Sequence, residues 1–257
     1  MAQSPTPVGV TFLGHSTVLI ELEGRRIMTD PVLFNRVWFL GRVPAPIDPE
    51  LTRDIEFALV SHLHLDHFDR RSLALLVTGV RLVVPKGAGG LVLSMGFERC
   101  EELAPGESAA RDGITMRATH AAHSGFRPPF GPEASAVGFV IDAGGARIYF
   151  AGDTDLFPAM ADLAPGLDLA FVPVWGWGPR LGPGHLDPRR AAAAVRLLRP
   201  RYVVPIHWGT FWTTGLRRVG SGRLTEPPLE FAELVAESTP GTTVIVLAPG
   251  DRIDLEL

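Results

Sequence analysis

The chain is almost without cysteine and lysine. Cys100 is its one cysteine, which excludes an internal disulfide and any cysteine-rich metal cage. It stands in Glu98-Arg99-Cys100-Glu101, an acidic setting that raises a thiol pKa and argues against reactivity. Lys86 is the one lysine, so arginine carries nearly all the positive charge; we attribute this to composition bias. No apolar run approaches the ~20 residues that span a bilayer. The start, Met1-Ala2-Gln3-Ser4-Pro5, has neither the basic nor the apolar stretch of a secretory signal, so the cytoplasm is the expected compartment. Net charge is −4, whereas a protein that coats nucleic acid is clearly basic. Nucleic acid is therefore not an expected partner, and a small-molecule or lipid-like substrate is.

What is there reads as an ordinary globular protein, with 46% hydrophobic and 20% charged residues among 257. Such a length hides about 70–75% of the unfolded surface. No low-complexity linker and no repeat of 20–50 residues is visible, and residues 1–257 are read as a single domain. Apolar runs punctuated by glycine and proline predict strands at 8–13, 18–22, 25–28, 57–60, 81–84, 114–119, 136–141, 147–150, 167–172, 202–206 and 243–247. Helices are predicted at 70–77 behind Asp69, from Gly89, at 187–198 with Asp187 as cap and Pro188 in the first turn, and at 228–237. Many strands followed by strand–helix alternation suggest two packed sheets with helices outside, an α/β sandwich.

The densest chemistry is Ser61-His62-Leu63-His64-Leu65-Asp66-His67, directly after an apolar strand. Residues two apart in an extended segment point the same way, so His62 and His64 converge on one ion. Asp66 and His67, where the chain turns into a helix, can face a second. Three further segments share one pattern, an apolar strand, then a possible ligand, then a small or turn residue. They are Thr119-His120-Ala121-Ala122-His123-Ser124-Gly125, Phe150-Ala151-Gly152-Asp153-Thr154 and Pro205-Ile206-His207-Trp208-Gly209. Gly152 allows a sharp bend there. Imidazole suits zinc, iron and nickel, and a carboxylate adds an oxygen ligand.

His-x-His-x-Asp-His, a later histidine, an Ala-Gly-Asp-Thr turn and a final histidine resemble the metallo-β-lactamase-fold hydrolases over nearly the whole chain. The runs Leu13-Gly14-His15-Ser16-Thr17, Thr29-Asp30-Pro31, Gly184-His185-Leu186-Asp187-Pro188 and Pro205-Ile206-His207-Trp208-Gly209-Thr210-Phe211 resemble the branch with N-acylphosphatidylethanolamine phospholipase D and ascorbate-6-phosphate lactonase. The resemblance implies a four-layer αββα sandwich with the site at one edge between the sheets. It implies that His62, His64 and a downstream histidine bind a first metal, that Asp66, His67 and His207 bind a second, and that Asp153 bridges both. The Ser124-Gly125 context favours His123 for the downstream ligand, with His120 the alternative. Class B β-lactamases place a cysteine at the second metal, where this chain has an aspartate. Flavodiiron proteins replace the histidine at position 64 with glutamate.

The implied chemistry is hydrolysis by a hydroxide held between two divalent cations, zinc by expectation, with manganese or iron as alternatives. Asp66 and Asp153 serve that hydroxide. No Gly-x-Ser-x-Gly elbow supplies a competing nucleophile. His185 is the candidate proton donor to the leaving group. His15, Trp175, Trp177 and Arg217 are the candidate substrate contacts, His15 being equally a candidate support for a ligand, with Arg180 and Arg218 as further anion holders and the aromatic stretch 34–40 as a cleft wall. Asp30 is a candidate support for a ligand. A phosphodiester, as for phospholipase D, is the expected substrate. A lactone or carboxylic ester is the alternative, and a catalytically silent metal-dependent binding or regulatory protein is the reading from another class. The natural substrate and oligomeric state lie beyond the sequence.

Overall fold

The computed structural model describes residues 5–76, 79–127, 131–215 and 220–257. Among them, two seven-stranded sheets face each other and a small three-stranded sheet caps one end. The first large sheet runs, edge to edge, Arg252–Glu256 (β17), Pro7–Gly14 (β1), Thr17–Leu22 (β2), Arg25–Thr29 (β3), Phe57–Leu59 (β6), Arg81–Pro85 (β7) and Cys100–Leu103 (β8). The second runs Thr243–Val244 (β16), Tyr202–Ile206 (β14), Leu169–Pro173 (β13), Ala146–Phe150 (β12), Val137–Ala143 (β11), Ile114–His120 (β10) and Ser108–Arg111 (β9). The small sheet joins Phe211–Thr213 (β15), Leu40–Arg42 (β5) and Arg36–Val37 (β4).

Side-chain alternation builds the layers. In the first sheet Val10, Phe12, Val18, Ile20, Ile27, Phe57 and Leu59 face inward and meet Met116, Phe139 and Ile141 of the second. The intervening Leu19, Met28, Ala58, Leu82 and Val84 face outward onto Leu73 of α1 (Arg70–Leu75) and Val92 of α2 (Gly89–Leu93). Helices α3 (Pro188–Leu198) and α4 (Glu226–Ser238) cover the second sheet with Ala191, Val195, Phe231 and Val235. Helix, sheet, sheet, helix is the predicted four-layer order. Among the described residues no helix is long and apolar enough to cross a membrane.

Several elements differ from the sequence reading. Strand β17 was not anticipated, although Ile253 and Leu255 alternate with charged residues; it pairs antiparallel with β1. The predicted strand at 243–247 shrinks to Thr243–Val244. β4, β5 and β15 turn the aromatic stretch 34–40 into a hairpin held by β15. Cys100 is half-buried, and burial, then Glu102 and Glu101, push its thiol up to about 11.

Helix α3 begins as expected. The Asp187 carboxylate accepts the Arg190 N–H at 2.8 Å, and Pro188 fills the first turn. This cap also fixes the exit of the loop that carries His185. Asp187→Ala is expected to cost about 1 kcal/mol and to lower the melting temperature by roughly 2–4 °C, read by thermal unfolding at fixed metal content.

Candidate metal centre

Strands β3, β6 and β7 run parallel, as do β12, β13 and β14. Their carboxyl ends therefore open at one edge of the sandwich, where α/β sheets hold ligands. Asp30 follows β3, His62 follows β6, His123 follows β10, Asp153 follows β12 and His207 follows β14. Three residues there, His15 (φ 58°), Asp30 (φ 35°) and His207 (φ 64°), take the left-handed backbone that non-glycine residues avoid. Gly152 (φ 60°) bends the chain before Asp153, and a Cβ there would meet the Ser61 Cβ at 2.6 Å.

Hydrogen bonds fix which nitrogen each histidine presents. Asp30 is fully buried. Its carboxylate accepts the Ser61 N–H and Oγ–H, both at 2.7 Å, and the His67 Nδ1–H at 2.7 Å. Ser61 Oγ, having donated its proton, accepts the His62 Nδ1–H at 3.0 Å. His123 Nδ1–H donates to the Gly184 carbonyl at 2.7 Å, and His207 Nδ1–H to the Trp175 carbonyl at 2.8 Å. Each ring thereby directs its Nε2 inward, unprotonated wherever the ring is neutral.

The free atoms converge in two groups. His62, His64 and His123 bring ligand atoms within 4.8 Å of one another; His123 Nε2 lies 3.2 Å from His64 Nδ1. In the second, His67 Nε2 stands 3.1 Å from His207 Nε2. Asp153 lies between, with Oδ2 at 3.1 Å from His67 and Oδ1 at 3.1 Å from His207. Asp66 is beside them, its Oδ2 3.9 Å from His67 Nε2. His62 Nε2 and Asp153 Oδ1 are buried without a hydrogen-bond partner among the described residues. Unpaired buried groups of this kind are costly, and nitrogen lone pairs facing one another repel. A cation relieves both, so the donor set fits divalent metal ions.

The electrostatics agree. Burial pushes His62 and His207 well below the ordinary histidine range and His64 to about 4, and it lowers His123. These rings are neutral, the form that ligates metal. His67 is opposite: burial opposes its charge, but Asp153, Asp30 and Asp66 raise it well above the ordinary value. A positive charge belongs at this spot, and a cation can supply it.

Other predicted residues fall in different places. His120 ends β10 exposed, its ring against Phe157 at 4.9 Å, and lies outside both groups. His15 was expected either to support a ligand or to contact substrate, and it is fully buried. Its Nε2 bonds Asp66 Oδ2 at 2.9 Å, and its ring lies 3.8 Å from that of His207. It supports a candidate ligand from below. Trp175 was expected in the cleft wall, yet its indole is in the core, bonded to the Gly178 carbonyl and covered by Arg223. Its backbone oxygen, holding His207, is what serves the centre. Trp177, two residues on, does reach the cleft. Arg217 and Arg218 lie outside the described residues.

Among the described residues, two of the cavities that border candidate ligands meet at His185. One, of about 260 Å³, has Asp66, Asp153 and His185 on its floor and Phe39, Leu65 and Trp177 on its wall. The other, of about 290 Å³, is bordered by Trp177, Arg180, His185 and His207. His185 stands between them, its Nε2 3.4 Å from Asp153 Oδ2 and its Nδ1 on the carbonyls of Pro183 and Gly182. Burial opposes charge on His185, but the hydrogen bond and charge of Asp153 raise it to about 9.

A family model described as Beta-lactamase superfamily domain matches residues 25–208. A UPF0173 metal-dependent hydrolase of Symbiobacterium thermophilum is 34% identical over 252 residues, covering 96% of this chain and 99% of that one. N-acyl-phosphatidylethanolamine-hydrolyzing phospholipase D 1 of Caenorhabditis elegans is 32% identical over 226 residues, covering 78% of this chain and 64% of that protein. Among solved structures, Igni18, a metallo hydrolase of the archaeon Ignicoccus hospitalis, superposes with a TM-score of 0.76 at 25% identity, covering 98% of this chain and 99% of that one.

The Ser61 hydroxyl links His62 to Asp30, and Ser61→Ala removes that link alone. It is expected to weaken metal affinity by about 10–100-fold in chelator competition, while His120→Ala leaves affinity unchanged. Equal affinities for Ser61→Ala and wild type would show that the relay does not orient His62.

Proposed function

The chain belongs to the β-lactamase superfamily domain family of metal-dependent hydrolases, and from that premise we propose that it is a binuclear hydrolase that cleaves phosphodiesters. The observation that carries the reading is the convergence of unprotonated nitrogens and carboxylate oxygens from separate strand ends on two adjoining positions. His62, His64 and His123 would hold one ion, Asp66, His67 and His207 the other, and Asp153, which contacts His67 and His207 and also clusters with His62 and with His123, would bridge them. The imidazole-rich set favours zinc. Two such cations would supply a nucleophilic hydroxide at neutral pH and polarise the substrate oxygen.

The chain's own groups do the rest. Asp153 orients the attacking oxygen from its buried position between His67 and His207. His185 Nε2 stands beside Asp153 at the boundary of both cavities, placed to give a proton to the departing alkoxide. The exposed Arg180 borders the cavity shared by His185 and His207, where its planar guanidinium can pair with phosphoryl oxygens. The apolar cavity carries no arginine or lysine among its described lining residues. That favours, as a second reading, a lactone or carboxylic ester cleaved at the same centre.

Hydrolysis of bis(p-nitrophenyl) phosphate by metal-reconstituted protein tests the proposal. Wild type is expected to turn over, and Asp153→Asn to lose activity by roughly 10²-fold or more; full activity in that variant would end the binuclear reading. Arg180→Glu is expected to cost about 10–100-fold on the phosphodiester and little on p-nitrophenyl butyrate. Metal-loaded protein that cleaves only the carboxylic ester selects the second reading, and protein that cleaves neither speaks for a metal-dependent binding role.

A further inference from the structure

The cavity over Asp66 and Asp153 differs from its neighbour in chemistry and in construction. Its wall is a hairpin and a loop: Val37 and Leu40 come from β4 and β5, Phe39 from the turn between them, Leu65 from the ligand-bearing segment, and Trp177 from the loop after β13. The rings interlock edge to face. Trp38 and Phe39 have centroids 4.8 Å apart at 60°, and Phe39 and Trp177 are 5.2 Å apart at 78°. Such pairs hold their geometry by more than area alone. Trp38 is 70% exposed with φ 50°, and Trp177 is 37% exposed. Large aromatic rings left open at the mouth of a reactive centre are unfavourable unless something apolar covers them. Val37, Leu40 and Phe211 form a small core of their own, so the hairpin is a built support rather than a loose loop.

Polar groups in this cavity are confined to one end, at His64, Asp66, Asp153 and His185. At about 260 Å³ it falls below the roughly 300–1,000 Å³ of pockets for drug-sized ligands. With about 30 Å³ per water-sized group, it has room for about nine such groups. The second cavity, beyond His185 and Trp177, has the exposed Arg180 at its border. A substrate reacting at the centre can thus send one arm to each side of His185.

We propose that the cavity walled by Phe39, Leu65 and Trp177 selects substrates with one compact, uncharged apolar arm of up to about eight or nine carbons, seated against the hairpin β4–β5. This rests on the reading of the centre as hydrolytic, and it narrows the substrate class. A long-chain diacyl lipid exceeds the cavity, and a purely polar diester leaves its wall uncovered. A quaternary ammonium arm could also meet aromatic faces, but Val37, Leu40 and Leu65 offer it nothing, and the carboxylates at the floor are committed to the centre.

The test is a series of alkyl p-nitrophenyl phosphates, from methyl to dodecyl, on metal-loaded protein. We expect kcat/KM to rise about three- to fourfold per methylene to hexyl or octyl and then to level or fall. Phe39→Ala and Trp177→Ala should each flatten that slope. The 3,3-dimethylbutyl diester should be preferred to the choline diester of the same shape. A slope of zero, a rise that continues to dodecyl, or preference for choline would overturn the proposal. If no diester is cleaved, the phosphodiesterase reading fails, and the cavity is judged by tryptophan-fluorescence titration with n-alkanols. Half-saturation that falls with each methylene to about octanol in wild type, and not in Phe39→Ala, supports the cavity; no dependence on length overturns it.

Discussion

The Asp30 carboxylate is the interaction on which the centre depends. Removed entirely from solvent, it is tolerable only because every strong donor near it points inward. It takes the Ser61 amide, the Ser61 hydroxyl and the His67 imidazole. Burial leaves its pKa above the ordinary carboxylate value, although His67 and Ser61 pull against that rise. One carboxylate on β3 thus sets two rings on the neighbouring segment, His67 directly and His62 through Ser61. The parallel pairing of β3 with β6 brings Asp30 and Ser61 together, so sheet register and ligand orientation are one constraint.

Local strain marks the same place. His15, Asp30 and His207 all have left-handed backbone, and His207 N–H donates to the His15 carbonyl at 2.7 Å. Such conformations persist only where surrounding structure over-determines them. Here Thr210 Oγ1 accepts the His15 N–H, Trp175 O accepts the His207 ring N–H, and Asp66 accepts from His15 Nε2. Each of these three residues holds a candidate ligand or is one. The result is a rigid floor beneath cavities whose walls come from a hairpin and a loop.

Much of this was legible in the sequence. His62, His64, Asp66 and His67 share one short segment, and their spacing alone brings them to one place. Asp153 and His207 could be found because both follow buried apolar strands. Trp175 and Trp177 could not be told apart, since each is flanked by glycine and follows the same strand. The chain turns between them, burying one in the core and leaving the other at the cleft. His15 read as a turn residue that could equally support a ligand or contact substrate, because nothing local announces that Thr210 and Asp66 will close over it. The hairpin of β4 and β5 was hidden by its brevity; its strands have two and three residues, too few for an alternating pattern.

By itself the sequence determined the fold class and the chemical character of the centre. Alternation of apolar residues selects sheets that must bury both faces, and dense imidazole at a strand end selects metal. Those are properties of composition and near-neighbour spacing, which survive without knowledge of the fold. The Ser124-Gly125 context already favoured His123 over His120; only the tertiary structure decided which partner holds the His123 ring, which tautomer each ring adopts, and which aromatic rings wall a cavity. These depend on contacts between residues far apart in the chain, such as His123 with Gly184, 61 positions away, or Phe39 with Trp177. A hydrogen bond or ring contact of that kind exists only once both sheets are packed.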